Sequence, residues 1–259
     1  MNRRDDLDRL YKQSNVLQHM AQAFFYVNMI AGVTAPFLPD EDIFLRIVGI
    51  VQGVSAFLFL TLALLDDCFC WYEAEAARRE KDVENAFGVS LGELTTEGYY
   101  NNSLPTSLGR FALNAMESTY FSENIAQKML PKVLIKALLV ITVMIVSAFA
   151  VTDLSILIII VQAAFTAYFI GDAVQLLRYK GLVKSLFDSL YRLFITSGIT
   201  TKEQETAAFM AALEYEAVKA HFKIRLDSKV FKANNEMLSV KWNDMLEHVR
   251  VPLYAEQED

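Results

Sequence analysis

Residues 43–65 read IFLRIVGIVQGVSAFLFLTLALL, and the one charge among them is Arg46, close to the start. A bilayer core roughly 30 Å thick needs about 20 apolar helical residues, so this stretch is long enough to cross it, with the long Arg46 side chain reaching back to the interface. Two further apolar runs, 133–151 and 154–177, are separated only by Thr152 and Asp153, which predicts two antiparallel spans joined by a tight turn. Residues 16–38 supply a fourth candidate. Gln18, His19, Gln22 and Asn28 interrupt it, but 23–33 are mostly apolar, and Pro36, Pro39, Asp40, Glu41 and Asp42 form a helix-breaking acidic link straight into 43–65. The expected fold is therefore an all-α polytopic membrane protein with four transmembrane helices in two hairpins plus cytoplasmic helical segments.

Composition agrees. The chain has 259 residues, 54 % of them hydrophobic and 21 % charged, with a mean hydropathy of +0.26, which is more apolar than a water-soluble domain of this size. The net charge of -7 lacks the concentrated basic surface that phosphate neutralisation requires, so no nucleic-acid partner is expected. Cys68 and Cys70, one residue apart after an apolar run, read as reduced interfacial thiols rather than a disulfide or zinc framework. The opening MNRRDDLDRL is a mixed-charge helical start with no apolar run directly behind it, unlike a cleavable secretory signal.

Basic residues set the expected orientation, because short cytoplasmic loops retain Lys and Arg. Arg3, Arg4, Arg9 and Lys12 precede the first span; Arg78, Arg79, Lys81, Arg110, Lys128 and Lys132 lie in the central segment; Arg178, Lys180 and Lys184 follow the last span. The two hairpin links have none. Both termini and the central segment are placed in the cytoplasm, which divides the chain into a first hairpin (1–65), a cytoplasmic helical segment (66–132), a second hairpin (133–177) and a C-terminal cytoplasmic helical module (178–259).

Within the central segment, 71–87 is rich in charged helix formers and continues the second span out of the membrane, until Gly88, Gly92 and Gly98 break it. The stretch 97–105, EGYYNNSLP, is turn-rich, with Tyr99, Tyr100 and Asn101 as candidate cytoplasmic contacts. Residues 106–130 are amphipathic at helical period, and Glu117 sits among the apolar positions, which suits a structural acid. In the tail, Thr201 ahead of Glu203 and Glu205 predicts a capped helix start. Phe209, Met210, Leu213, Ala217 and Ala220 mark an apolar stripe. Farther on, Phe231, Leu238 and Trp242 mixed with Asn234, Asn235 and Asn243 suit packing on the central segment or on another subunit, so Trp242 joins Glu117 as a candidate contact.

No glycine-rich phosphate loop, serine elbow or His-Glu-x-x-His signature occurs, and His19, His221 and His248 are scattered. No enzymatic activity, cofactor or metal is expected. The informative residues are polar ones inside spans, because an amide or acid in lipid must find a partner in the protein or in a water-filled space. They are Asn28, Gln52, Gln162 and Asp172, candidates for a pore lining or for helix clamps. Asp172, near the cytoplasmic end of its span, suits a contact to headgroups or Lys180. Gly49, Gly53, Ser55 and Ala56 form a small-residue face where another helix can approach, so a homo-oligomer is expected.

The charged helix RREKDVENAFG (78–88), the turn EGYYNN (97–102) and ESTYF (117–121) before the third span, set between two span hairpins over 10–180, resemble the SMODS-associated four-transmembrane effectors of bacterial nucleotide-signalling anti-phage systems. That resemblance implies a pore-forming or membrane-disrupting effector of the bacterial inner membrane. A membrane-anchored sensor or scaffold that recruits a soluble defence protein is the second hypothesis. A substrate-coupled transporter is third, since short external links and few intramembrane charges leave little material for a substrate site.

Overall fold

The computed structural model describes residues 7–38, 43–94, 104–149 and 155–249; the side chains of 8, 36, 147, 148, 155–162 and 164 are outside the description. All regular structure among these residues is helical. The α-helices are α1 (Leu7–Thr34), α2 (Ile43–Leu65), α3 (Trp71–Phe87), α4 (Leu108–Phe149), α5 (Ser155–Tyr191), α6 (Lys202–Phe222) and α7 (Ser228–Leu246). They gather into two compact units. One, the hairpin unit, takes in Asp6–Ala76 and Pro131–Val174; the other, the helical module, takes in Ala77–Leu130 and Gln175–Asp259. The divisions between these units fall within α3, α4 and α5.

In the hairpin unit, α1 and α2 are antiparallel, because Tyr11 meets Trp71 and Glu75, Asn28 meets Gln52, and Ala35 meets Leu45 in reversed order. A 3₁₀ turn over Ala35–Phe37 with a proline at its start ends α1. Phe25 of α1, Phe59 of α2, Val140 of α4, and Phe165 and Phe169 of α5 close the centre.

Helix α2 does not stop at residue 65. It passes through a π-helical turn, Asp66–Cys70, whose flanking residues Leu65 and Trp71 keep right-handed helical angles, and continues as α3. Gly88 is the stop. Its φ is +67, a left-handed angle that glycine takes without strain, and a Cβ there would meet Thr106 Cγ2 at 2.9 Å.

The amphipathic stretch from Leu108 and the apolar run from 133 form a single helix, α4, of 42 residues with Pro131 inside it. Proline removes one backbone donor, and the helix absorbs that loss at an exposed position. Ser107 caps α4, its hydroxyl accepting from Arg110 N at 3.0 Å. The expected cap at Thr201 is a reciprocal box: Thr201 Oγ1 accepts from Gln204 N, and Gln204 Oε1 accepts from Thr201 N. Asp227 caps α7 by accepting from Lys229 N and Val230 N.

Two helices, Ile43–Phe87 and Leu108–Val146, contain windows long and apolar enough to cross a membrane, and only 22 % and 11 % of those windows lie inside the protein. A water-soluble core helix hides such a window. Here Ile50, Phe57, Leu64, Ile135 and Leu138 are each more than 60 % exposed, a larger apolar surface than soluble monomers present to water.

Candidate functional site

The inward stripe of α1 repeats at helical period as Ala21, Phe25, Asn28 and Ala31, continued by Ala35 of the 3₁₀ turn, all buried, and it arranges the interior of the hairpin unit in layers. Toward the α1–α2 turn lies a polar layer. Asn28 donates through Nδ2 to the backbone carbonyl of Gln52 at 2.9 Å, and Ser55 donates to the same carbonyl at 3.1 Å. The Gln52 side chain is 1 % exposed, and neither its Nε2 nor its Oε1 has a hydrogen-bond partner among the described residues. An amide left unbonded inside a protein costs on the order of 1–3 kcal/mol. Beside Asn28 is a cavity of about 10 Å³ lined also by Met29, Val140, Val143 and Phe165, close to the volume a single water requires.

Next comes an aromatic layer. Phe25, Phe59, Phe165 and Phe169 are all at least 93 % buried, and every pair among their four rings has centroids between 4.5 and 6.4 Å apart. Those separations are the favourable range for ring packing.

Beyond the rings, toward the π turn, lies a charged layer. Lys136 of α4 places its Nζ 5.7 Å from the centre of the Phe25 ring and within electrostatic reach of Asp172 of α5, which also feels Asp67. Tyr168 borders the same two carboxylates. Asp66 is 1 % exposed nearby in sequence, and Glu75 accepts from the Tyr11 hydroxyl at 2.8 Å. Within this unit Lys136 is the cation that acts on Asp172. Lys136 was not singled out from the sequence. Its signal was a lone cation inside the apolar run 133–151.

The helical module has a buried polar core of its own. Arg78, 4 % exposed, pairs with Glu216 of α6. Asn114 of α4 donates to Asp82 at 2.9 Å and to Asn85 at 3.0 Å, and Arg110 reaches Asn85 at 3.3 Å. Tyr215, wholly buried, shares a 2.9 Å hydrogen bond with Ser122, and burial pushes its phenol well above its ordinary range. Lys81 holds Glu84 at 2.6 Å, and Glu84 also accepts from Leu91 N and Gly92 N. Burial pushes the Glu84 carboxyl up, but Lys81 and the two backbone donors outweigh it and leave the group below its ordinary value.

These contacts place two of the candidate contact residues. Glu117 is 8 % exposed and Trp242 1 %, with the indole stacked on Tyr120 at 6.1 Å, so both belong to the interior of the module. Helix α7 thereby packs on the central segment of its own chain, as Phe231 on Phe121 at 6.0 Å also shows. Tyr99, Tyr100 and Asn101, the links 39–42 and 150–154, and the Gln162 side chain lie outside the described residues. Cys68 and Cys70 are unpaired thiols, and no group of three or more His, Cys, Asp or Glu among the described residues is arranged to hold a metal. Comparison of the chain with protein-family models, curated proteins and solved structures finds no match.

Proposed function

We infer that the chain is a four-span protein of the bacterial inner membrane, with both termini cytoplasmic, that acts as an oligomeric effector or channel and perturbs the membrane on a cytoplasmic cue. The observation carrying this reading is the Gln52 side chain, enclosed between helices with its amide unbonded among the described residues. A protein selected only for a stable bundle has no use for it, whereas a water-filled path between helices needs such groups at membrane depth. The Lys136–Asp172 layer adds intramembrane charge to the same unit. No catalytic or cofactor chemistry is invoked. The resemblance to four-span anti-phage effectors supports infection as the source of the cue and the helical module as its receiver.

The test is membrane potential in bacteria expressing the full chain under phage challenge. Depolarisation that is lost in Gln52→Leu, with assembly intact, supports the effector; intact potential throughout infection refutes it.

A membrane-anchored scaffold recruiting a soluble defence partner is the second reading. It draws on Met210 and Leu213 of α6 and Met237 and Val240 of α7, apolar side chains between 41 % and 57 % exposed on the helical module. Loss of a co-purifying soluble protein on truncation at Arg178, with potential unaffected, favours it.

A further inference from the structure

We propose that the rings of Phe25, Phe59, Phe165 and Phe169 are the closed gate of a conduction path running lengthwise through the hairpin unit, a proposal that rests on the conducting reading above. The argument is one of order along the helices. Phe25 and Asn28 are one turn apart on α1, and Phe169 and Asp172 are one turn apart on α5, about 4.5 Å along the axis in each case. On α2, Phe59 lies midway between Gln52 and Asp66, about 10 Å from each. On α2 the order is amide, ring, carboxylate; α1 supplies the amide and ring of that order, and α5 the ring and carboxylate.

Each polar layer suits hydration and the layer between them excludes it. The amide side has the unbonded Gln52 side chain, the Ser55 hydroxyl and the cavity of about 10 Å³ beside Asn28. The opposite side has Asp67, Asp172 and Lys136. Between them the four rings pack at 4.5 to 6.4 Å with no polar atom of their own, and Phe25 and Phe165 lie parallel within 2°. An ion crossing this layer would shed its water with nothing to replace it, which is how an apolar constriction closes a pore. Lys136 places its ammonium at the face of Phe25, where a cation arriving from the charged side would rest. A bundle built only for packing would gain from extending the apolar layer in both directions; here the rings, with Ala21, Ala56 and Val140 packed among them, are bounded by polar groups at both ends.

The experiment uses the purified full chain in vesicles of phosphatidylethanolamine and phosphatidylglycerol, with potassium efflux as the readout and no cue added. Phe59→Ser and Phe25→Asn, which let water into the layer, are expected to raise resting efflux about tenfold or more over wild type, while Phe59→Leu, which keeps it apolar, stays at the wild-type level. Circular dichroism and gel filtration confirm that each variant is folded before it is scored. Equal leak from Phe59→Ser and Phe59→Leu overturns the proposal, because it marks loosened packing rather than a wetted gate. Folded polar variants that stay tight overturn it as well. If both polar variants misfold, Phe165→Thr is read in the same assay by the same criteria. Wild-type cells that depolarise under phage challenge while the polar variants stay tight at rest remove the gate alone; absence of depolarisation in wild type removes the conducting reading itself.

Discussion

Asn28 of α1 ties itself to the Gln52 backbone carbonyl at 2.9 Å, while the Gln52 side-chain amide lies in the same interior with no hydrogen-bond partner among the described residues. The two amides are not equivalent. Asn28 is a clamp between helices, and Gln52 is the residue that a purely structural requirement would replace.

Gln52→Leu should therefore stabilise the protein while impairing its activity. Removing an unbonded amide from a dry interior is expected to gain about 1–2 kcal/mol, seen as a higher midpoint in thermal unfolding followed by circular dichroism in detergent. Asn28→Leu should lower that midpoint slightly, since a hydrogen bond between membrane helices averages about 0.6 kcal/mol. A lower midpoint for Gln52→Leu would show that its amide is bonded.

Lys136 and Asp172 should behave as a coupled pair. Removing either charge alone leaves the other enclosed near Phe25 or Asp67, whereas Lys136→Met combined with Asp172→Leu removes both. The double variant is expected to be more stable than the sum of the single losses by about 1–3 kcal/mol in a thermal or denaturant cycle. Strict additivity would separate the two residues.

The turn after α3 should loosen in acid. Glu84 has its carboxyl held below the ordinary value of 4.5 in the folded chain, so the stability it adds is full above that value. It is lost as the pH falls through the lower, folded value. Hydrogen exchange at the Leu91 and Gly92 amides, which donate to Glu84, is expected to lose protection in that window. Glu84→Gln should show the loosened turn already at neutral pH, and an unchanged turn in that variant would assign its order to other contacts.

Gly53→Leu should weaken assembly without disturbing the protomer. A Cβ added at Gly49 or Gly53 meets nothing within 4 Å, so these two positions are open and a larger side chain there has room, whereas Ser55 and Ala56 of the same expected face are buried in the protomer. Close approach of a second helix needs that face kept small. Mass measurement in mild detergent is expected to show a smaller assembly for Gly53→Leu than for wild type; identical masses would place the interface elsewhere.

Topology is checked by a cysteine placed at Glu41 after Cys68 and Cys70 are replaced. An impermeant thiol reagent added outside intact cells is expected to label Glu41→Cys and to spare Ser103→Cys, since the acidic link 39–42 lacks Lys and Arg while the central segment is rich in them. Labelling of Ser103→Cys would invert the orientation.

Much of this protein was legible in the chain itself because the signals are local. The apolar runs of α2 and α4, the stop at Gly88 and the cap at Thr201 depend on residues within a turn or two of one another, and all four are in the structure. Asn28, Gln52 and Asp172 stood out for the same reason, as polar residues in apolar surroundings. The tertiary structure alone decided what each of them meets. Asn28 and Gln52 are 24 positions apart and Arg78 and Glu216 are 138 apart, distances over which no periodicity speaks. Glu117 and Trp242 could face a partner or a core on pattern alone, and packing against Tyr120 put the indole inside. Helix α4 runs through Pro131, because one lost backbone bond is small against the packing of the turns on either side. The cluster of four phenylalanines was likewise invisible in sequence: three helices had to be brought side by side before rings from residues 25, 59, 165 and 169 packed against one another.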